Sequence, residues 1–174
     1  AHAIWNYEKA LKININNHDA LYNLKLTKLR IIDKIEPMPI LFYKEWWISS
    51  LNLYNTKTWQ ILAIASIWIG LIIRLLIRFT NFEKRHSLVF LNTLTVILLI
   101  INHYSYKENY IKKQGIIFSS SVIVNSAPTY NSADLFSLHS GSKVEIIDSI
   151  GEWINIKITN GNKGWIEKES CKQL

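Results

Sequence analysis

The sequence predicts a multi-domain protein in which α-helices and a transmembrane α-hairpin are followed by a small all-β barrel. Two strongly apolar segments lie near the middle of the chain, and each is close to the length that crosses a bilayer. The residues before them recur at the spacing of a helix face, whereas those after Ile116 alternate with the period of a strand. The 174 residues therefore divide into four parts, at 1–36, 37–57, 58–106 and 116–174.

The N-terminal part is typical of the end of an array of helical repeats. Ala3, Tyr7 and Ala10 recur at i, i+4 and i+7 and so share one helix face. With the residues that follow, they resemble the second helix and exit turn of a tetratricopeptide repeat, in which small residues let two helices approach. A second helix, predicted at 19–35, is then a terminal capping helix. One repeat cannot bury a core alone, so upstream repeats are expected. The array would then either form a groove for a partner peptide or act as a spacer that only packs.

Residues 37–57 predict a linker helix at a membrane surface. Pro37 and Pro39 end the preceding helix, because proline lacks an N–H and disfavours helix in the residue before it. Apolar residues then recur near helical spacing, and Trp46 and Trp47 suit the headgroup layer of a bilayer. The alternative interpretation is an apolar helix packed on the neighbouring domain.

A two-helix transmembrane hairpin is predicted at 58–106, with spans at 58–77 and 87–106. About 20 helical residues cross a hydrocarbon core of roughly 30 Å, and the first span fits if the Arg74 side chain extends to the interface. Asn92, Thr93 and Thr95 are expected to face the first span, where polar groups bond across the pair. The alternative is a buried helical hairpin in a soluble protein. The predicted membrane-interface anchors are Trp46, Trp47, Trp59, Arg74 and Arg78.

The charges between the spans predict the orientation of the hairpin. The loop at 78–86 carries Arg78, Lys84 and Arg85 against the single acid Glu83. By the positive-inside rule, this loop is cytoplasmic. Both termini and the C-terminal domain then lie in the periplasm, and the protein belongs to the bacterial inner membrane.

The net charge of +7 is concentrated near the membrane segments. Fifteen of the 20 Lys and Arg residues precede Ile116, whereas the part from Ile116 onward carries five basic and six acidic residues. A nucleic-acid-binding domain concentrates basic residues on its folded surface, so no nucleic acid is expected as a partner. The distribution instead indicates contact with an anionic lipid bilayer.

From Ile116 onward, the period-two alternation predicts five short strands. They are expected at 122–124, 135–138, 143–148, 153–159 and 163–166. The pair Asn160-Gly161 predicts a type I′ hairpin, because both residues tolerate a positive φ. Five short strands in about 58 residues make a small barrel.

This segment resembles the bacterial SH3 family of type 3. The matching residues are Val124, Pro128, Gly141, Val144, Trp153, Ile156, Asn160-Gly161 and Gly164-Trp165-Ile166. Asn125 stands where that family often has Arg. The resemblance implies an SH3-like barrel with an aromatic-lined groove, through which some members bind cell-wall peptides or other proteins. The two Trp residues are more often packing residues of the barrel, but the candidate ligand or partner contacts are Tyr130, Phe136, Trp153 and Trp165.

The whole chain resembles the E member of the Bacteroides aerotolerance family. The motifs that carry this resemblance are Asp33-Lys34-Ile35-Glu36-Pro37 and Lys44-Glu45-Trp46-Trp47, within the order of repeat, linker, two spans and SH3 domain. That family is encoded beside membrane proteins with von Willebrand A domains and a MoxR-type ATPase. The resemblance implies a non-enzymatic, membrane-anchored scaffold of an envelope complex linked to oxidative-stress tolerance, with those membrane proteins as partners. The alternative is an envelope sensor whose SH3 domain binds a peptidoglycan peptide.

The sequence carries no motif that predicts catalysis, a cofactor or a metal site. The five histidines are scattered without metal-ligand spacing, and neither a Walker A loop nor a GxSxG elbow occurs. Cys171 is the single cysteine and cannot form an internal disulfide. We therefore expect no enzyme activity, and we expect a membrane-impermeant maleimide to label Cys171 in intact spheroplasts.

Overall fold

The computed structural model describes the backbone of residues 1–79 and 85–174, with side chains except at 78, 79, 85–87, 109 and 110. The described residues form two compact units. The sheet unit comprises Ala1–Leu41 with Lys112–Leu174, and the hairpin unit comprises Phe42–Ile111. The sequence-based division separates residues 1–36 from 116–174, whereas in the structure both belong to the sheet unit.

The sheet unit begins with two short helices, α1 (His2–Ile13) and α2 (His18–Lys28). Ile4 of α1 and Leu24 of α2 are buried together with Ile116 of the following sheet. This apolar contact is why two helices too short to be stable alone hold their structure here, since most helical stability in proteins comes from packing.

The second helix is shorter than its predicted range of 19–35, because the chain turns after Lys28. The N–H groups of Arg30 and Ile31 bond to the carbonyls of Thr27 and Lys28 in a tight turn. The residues beyond it are not helical and lie against the sheet, where the Met38 N–H donates to the Thr159 carbonyl at 3.3 Å.

The described residues of the sheet unit form one antiparallel sheet of seven strands. The strands are β1 (Lys113–Ile117), β2 (Ser121–Asn125), β3 (Asp134–His139), β4 (Lys143–Ile150), β5 (Trp153–Lys157), β6 (Lys163–Glu167) and β7 (Cys171–Gln173). Their order across the sheet is β3-β2-β6-β5-β4-β1-β7. The five predicted strands correspond to β2 through β6. β1 and β7 were outside the prediction, because β1 begins in a polar Lys-Gln-Gly run and β7 has only three residues.

The inner face of the sheet forms the core. Its buried residues are Ile117, Val124, Leu138, Val144, Ile154, Ile156, Ile158 and Ile166. Burial of one such aliphatic side chain contributes roughly 1.5–3 kcal/mol to folding. Because successive side chains of a strand point to opposite faces, the residues between these positions define an outer face.

The turn between β5 and β6 differs from the predicted type I′ hairpin. Gly161 has φ of 94°, but among the described residues no residue other than glycine has a positive φ, so Asn160 does not take the left-handed conformation. The Gly161 N–H donates to the Ile158 carbonyl, and the Asn160 side chain accepts from the Asn162 N–H. This is the three-residue arrangement in which a right-handed turn is closed by one left-handed glycine.

A buried carboxylate joins the helices to the sheet. Glu8 of α1 is 8% exposed and binds Lys28 of α2 at 2.8 Å and Lys143 of β4 at 2.7 Å. Burial disfavours the charged carboxylate, but attraction and hydrogen bonds from Lys143 and then Lys28 outweigh it. The net effect lowers the pKa of Glu8.

The hairpin unit consists of α3 (Phe42–Leu51), α4 (Thr56–Phe79) and α5 (Arg85–Tyr106), followed by one π-helical turn (Lys107–Ile111). Within α4 and α5, the stretches Thr56–Ile77 and Leu88–Tyr106 are long and apolar enough to span a membrane. These bounds lie within two residues of the predicted spans. Of their most apolar windows, 11% and 6% are buried within the protein, so these surfaces are almost entirely exposed.

Polar side chains join α4 and α5 along their apolar contact. The Arg74 guanidinium donates to Asn92 Oδ1 at 2.8 Å, which fulfils the expected contact of Asn92 with the first span. Thr93 and Thr95 instead bond to carbonyls of their own helix, at Phe90 and Leu91. A short hydroxyl side chain in a helix reaches the carbonyl three or four residues earlier, and this local bond replaces the predicted one.

Candidate functional site

The candidate site is the outer face of strands β2, β5 and β6. In the sheet register, Trp153 of β5 is opposite Glu167 of β6, and Asn155 of β5 is opposite Trp165 of β6. Trp165 is in turn opposite Asn125 of β2. Directly opposed residues of antiparallel strands share a face, so these five side chains form one surface. We call these residues together with Tyr130 the aromatic–amide face.

Tyr130 and Trp153 form the aromatic end of this face. Their ring centroids are 5.1 Å apart with planes inclined at 63°. Trp153 is 9% exposed, whereas Tyr130 on the β2–β3 loop is 76% exposed and leaves most of its ring open to solvent. Edge-to-face pairs of this kind gain about 0.5–1.5 kcal/mol beyond the area they bury. Trp153 is therefore held rigidly beneath an accessible tyrosine.

Carboxylates surround the same end. Glu167 is opposite Trp153 in the sheet register, and its interaction with the Tyr130 hydroxyl is the largest cause that raises the pKa of Tyr130. Glu152 and Glu169 act on the phenol in the same direction through their charges. The aromatic end is therefore electronegative and suits a cationic group.

Two amide oxygens are the unusual polar feature of the face. Oδ1 of Asn125 and Oδ1 of Asn155 are buried and have no hydrogen-bond partner among the described residues. They lie on either side of Trp165. A buried acceptor without a partner costs about 1–3 kcal/mol.

The structure brings together three of the four aromatic residues predicted as ligand or partner contacts. Tyr130, Trp153 and Trp165 lie on the aromatic–amide face. Phe136 is opposite the core residue Val124 and packs against the core on the inner face. The sequence reasoning missed Asn155 and Glu167 as site residues. The period-two alternation could have found them. Asn155 is two residues from Trp153 and Glu167 is two residues from Trp165, so each shares a strand face with a tryptophan.

The predicted repeat-packing residues of α1 differ in their burial. Ala3 is exposed, and Tyr7 and Ala10 are half-buried. Tyr7 packs against the cluster formed by Ile4, Leu24 and Ile116. Of the three residues, Ala3 is the one left open to solvent.

The predicted membrane-interface anchors differ in their exposure and contacts. Trp46 is 74% exposed, and Trp47 packs edge-on against Tyr104 at a centroid distance of 5.5 Å. Trp59 is buried, and its indole N–H donates to the Leu51 carbonyl at 3.2 Å, so it closes the corner between α3 and α4. Arg74 bonds to Asn92 as described above. The side chain of Arg78 lies outside the described residues.

Asp33, His139 and Ser142 lie together and have the residue types of a nucleophilic triad. Their arrangement is not that of a triad. The Asp33 carboxylate accepts three hydrogen bonds. The donors are the backbone N–H of His139 at 2.6 Å, the imidazole Nδ1 of His139 at 2.7 Å and the Ser142 hydroxyl at 2.5 Å. The serine therefore contacts the carboxylate and not the imidazole, whereas nucleophile activation needs the base beside the hydroxyl. Burial acts against the charge of Asp33, but the three hydrogen bonds outweigh it and lower its pKa. This cluster fastens the segment after α2 to the β3–β4 turn.

Cys171 is unsuited to the labelling that the sequence suggested. Burial raises the pKa of its thiol to about 12, so the reactive thiolate is scarce at neutral pH. Its sulfur also lies directly against Gly115, with no room for an added Cβ between them. Within the part of the chain that the structure describes, no three His, Cys, Asp or Glu residues are grouped to hold a metal ion.

Comparison with known proteins identifies the C-terminal fold. The family model described as bacterial SH3 domain matches residues 120–171. No curated protein sequence matches the chain. Among solved structures, it is similar to NlpC2 from Trichomonas vaginalis, with 15% identity over 36% of this chain and 25% of that one and a TM-score of 0.33.

Two further solved structures are similar to this chain. NlpC1 from Trichomonas vaginalis has 15% identity over 36% of this chain and 24% of its own, with a TM-score of 0.33. An NlpC/P60 family protein from Bacillus cereus has 11% identity over 41% of this chain and 23% of its own, with a TM-score of 0.31. The chain thus spans about a quarter of the length of these proteins.

The family match covers β2 through β6 and ends at the first residue of β7. It includes every residue of the aromatic–amide face. The antiparallel sheet follows two long apolar helices in the chain. Residues 120–171 of this protein are a bacterial SH3 domain.

Proposed function

We propose that this protein is a non-enzymatic, membrane-anchored adaptor of the bacterial envelope, whose hairpin spans the inner membrane and whose SH3 domain binds other envelope proteins. The observation that carries the proposal is the exposed apolar surface of α4 and α5. At 1.5 Å per residue, the 22 residues of Thr56–Ile77 extend about 33 Å, which matches a hydrocarbon core of roughly 30 Å. Such a surface is stable in lipid and not in water.

The linker helix α3 supports an interfacial location. Phe42 and Trp46 are among its most exposed residues and form an edge-to-face pair with centroids 6.4 Å apart. The Trp46 indole is an amphipathic ring of the kind that concentrates at the headgroup layer. In this proposal, α3 lies on the outer leaflet of the membrane.

The proposed orientation rests on the basic residues between the spans. The 78–86 loop is placed in the cytoplasm by the positive-inside rule, and both termini and the SH3 domain are placed in the periplasm. Residues 80–84 of this loop lie outside the described residues.

The finer role follows the resemblance to the aerotolerance family. In this proposal, the protein is a scaffold linked to oxidative-stress tolerance, and its partners include the membrane proteins with von Willebrand A domains. Residues 1–36 are the end of a tetratricopeptide array. The exposed Ala3 supports this assignment, because a small exposed residue lets another helix pack closely.

Topology is tested with engineered cysteines, since the native thiol is shielded. In a Cys171→Ser background, Ser126→Cys places an exposed thiol on the SH3 domain, and Lys84→Cys places one in the 78–86 loop. We expect an impermeant maleimide to label Ser126→Cys in intact spheroplasts and Lys84→Cys only after lysis. The reverse pattern would invert the topology, and quantitative release of the protein by alkaline carbonate would end the membrane proposal.

The adaptor role is tested by site-specific crosslinking. A photoreactive phenylalanine replaces Tyr130 on the aromatic–amide face, and the matched control carries it at the exposed Tyr22 on α2. We expect other membrane proteins of the envelope to crosslink at position 130 in living cells. If position 130 yields no crosslink that the control lacks, the SH3 face is not the contact.

An envelope sensor is the second candidate, and the aromatic–amide face is the observation in its favour. The electronegative aromatic end also suits the free ammonium of a cell-wall peptide. Retention of the detergent-solubilised protein on purified murein, abolished by Tyr130→Ala, would support this function over the adaptor.

A further inference from the structure

We propose that the outer face of α2 docks the sheet unit onto the surface of an anionic phospholipid bilayer. Apolar side chains of α2 would enter the boundary between headgroups and acyl chains, and the basic side chains beside them would bind lipid phosphates. This inference rests on the proposed membrane anchoring, because it names a second part of the chain that contacts the lipid.

An apolar ridge lies on the side of α2 that is turned away from the core. Tyr22, Leu26 and Leu29 recur at i, i+4 and i+7 and so share one helix face, and Leu29 keeps a helical conformation at the end of α2. They are 64%, 46% and 74% exposed. At about 100° per residue, the buried Ala20 and Leu24 lie on the opposite face. We call Tyr22, Leu26 and Leu29 the α2 ridge.

A shallow groove runs beside the α2 ridge. It has a volume of about 360 Å³ and is lined by Asn23, Leu26, Thr27, Leu29 and Arg30. The Thr27 hydroxyl donates to the Asn23 carbonyl at 2.7 Å, so this donor is used within the helix. The groove therefore combines a mostly apolar lining with one cation, which suits the acyl and phosphate parts of a phospholipid.

Basic side chains flank the α2 ridge. Residues 21–32 include Lys25, Lys28 and Arg30 and no acidic residue. Lys28 binds Glu8 at 2.8 Å, whereas Lys25 and Arg30 are exposed. Lys25 lies on one side of the ridge, and Arg30 borders the groove on the other. An apolar stripe with cations on both sides is the arrangement of helices that lie in a membrane interface and are attracted to anionic lipid.

The acidic residues that precede and follow this stretch do not cancel its charge. Asp19 lies in the first turn of α2, where a carboxylate is stabilised by the helix N-terminus. Asp33 directs its carboxylate to His139 and Ser142 of the sheet. Lys25 and Arg30 are therefore the charges that the outer face of α2 presents beside its apolar side chains.

The chain that follows the ridge leads to the proposed membrane linker. Its large apolar side chains are also exposed, at Ile32, Met38, Ile40 and Leu41. Residues 30–41 separate Leu29 from Phe42, the first residue of α3. Fully extended, this segment spans at most about 45 Å, so the ridge stays near any bilayer that holds α3. A weak lipid contact is then effective, because the tether keeps the local concentration of lipid high.

Size and charge favour lipid over a second copy of the chain as the occupant. A stable protein complex buries about 800 Å² and roughly 20–30 residues on each partner. The α2 ridge presents three apolar side chains and a shallow groove. In a symmetric contact, each copy would also bring its Lys25 and Arg30 against those of the other. A bilayer has neither requirement, and its headgroups supply the negative charge.

The test measures whether one ridge position enters a bilayer. The full chain, in a Cys171→Ser background, carries a fluorophore at Leu29→Cys, and the matched control carries it at Ile123→Cys, an exposed apolar position of β2. The nanodiscs contain phosphatidylcholine with or without phosphatidylglycerol, and a lipid with a nitroxide quencher just below its headgroup. With phosphatidylglycerol, we expect at least threefold more quenching at position 29 than at position 123, and less in phosphatidylcholine alone. Equal quenching at both positions, or quenching at position 29 that ignores phosphatidylglycerol, would overturn the proposal.

Charge variants test the basic side chains beside the ridge. Lys25→Glu with Arg30→Glu should reduce the quenching at position 29 at least twofold. Lys163→Glu with Lys168→Glu makes the same change in net charge at exposed positions of the sheet and should leave the quenching unchanged. All four side chains are exposed, so we expect melting temperatures close to that of the parent. An equal loss of quenching in both double variants would show an effect of net charge alone and would contradict the proposal.

The outcomes distinguish this inference from the anchoring on which it rests. If alkaline carbonate releases the protein from membranes, the anchoring fails and the inference fails with it. If the protein resists carbonate but position 29 is not quenched, the inference fails and the anchor stands. If energy transfer between labelled chains places position 29 of one copy beside that of another, a second copy occupies the ridge and the inference is wrong.

Discussion

The two units of this protein differ in whether their apolar side chains are buried. In the sheet unit, the isoleucines of the inner face alternate with residues of the outer face and are buried, as with Ile156 and Ile166 at 0% exposure. In the hairpin unit, isoleucines and leucines run without alternation and remain exposed along α4 and α5. The apolar content alone does not separate the two cases. Its periodicity does, because alternation needs water on one face of a strand, and a continuous run needs an apolar surrounding.

Polar groups in the two units differ accordingly. The sheet unit uses charges at long sequence separation, where Glu8 binds Lys143 and Asp33 binds His139. The hairpin unit uses short contacts between neighbouring helices, including the Thr56 and Ser105 hydroxyls, which lie 2.9 Å apart. The charged contacts are therefore sensitive to pH, and the hydroxyl contacts are not.

The largest expected difference comes from placing a lysine on each unit. Ile64 on α4 and Ile123 on β2 are similarly exposed, at 56% and 53%. If the hairpin lies in lipid, Ile64→Lys costs about 2.5–3.5 kcal/mol of insertion free energy. Ile123→Lys should change the stability of the sheet unit by less than about 0.5 kcal/mol. The carbonate-resistant membrane fraction measures the effect of Ile64→Lys, and a thermal melt measures that of Ile123→Lys. If Ile64→Lys had no effect on membrane insertion, the proposal that the hairpin lies in lipid and the sheet unit in water would be wrong.

A methyl group added to a glycine tests the packing of each unit. In Gly164→Ala, the new Cβ would lie 2.5 Å from Val124 Cγ1 and 2.9 Å from the Asn125 carbonyl oxygen. Overpacking of this kind costs about 1–3 kcal/mol. In Gly70→Ala on α4, the Cβ would make an ordinary contact of 3.5 Å with Leu91. We expect near-ultraviolet circular dichroism to show a lower melting temperature for Gly164→Ala alone.

Acid should destabilise the sheet unit through Glu8 and Asp33. Each has a pKa lowered in the folded state, so its contribution is complete above the unfolded values of 4.5 and 3.8 and is lost as pH falls through the folded pKa. Denaturant titrations from pH 6 down to about 3 should show a falling free energy of unfolding. Glu8→Gln with Asp33→Asn should flatten that slope, and an unchanged slope would contradict the assigned contacts.

The smallest expected effect concerns the polar contact within the hairpin. Asn92→Leu removes the acceptor of the Arg74 guanidinium. Interhelical hydrogen bonds in membranes average about 0.6 kcal/mol, so the loss should be of that order. Thr93→Val is the matched control, because the Thr93 hydroxyl bonds within its own helix. Unfolding in mixed micelles measures both, and a loss for the control as large as for Asn92→Leu would show that the interhelical bond contributes nothing specific.

The sequence by itself determined the features that depend on local pattern. Continuous apolar runs located both membrane-length helices to within two residues, and period-two alternation located β2 through β6. The resemblance to the bacterial SH3 family, rather than the alternation, gave Tyr130, Trp153 and Trp165 as candidate contacts. These signals succeed because the repeat of a helix or strand, and the solvent that it faces, are properties of adjacent residues.

Only the tertiary structure decided what lies beside what. The packing of α1 and α2 on the sheet depends on contacts such as Trp5 with the Gln173 carbonyl, 168 residues apart, which no local pattern encodes. Strand register decides that Phe136 packs against the core and not on the outer face. It also places Asn125 and Asn155, whose Oδ1 atoms have no partner among the described residues, beside Trp165. Register is set by hydrogen bonds between strands and by the shared core, so it exists only once the sheet is assembled.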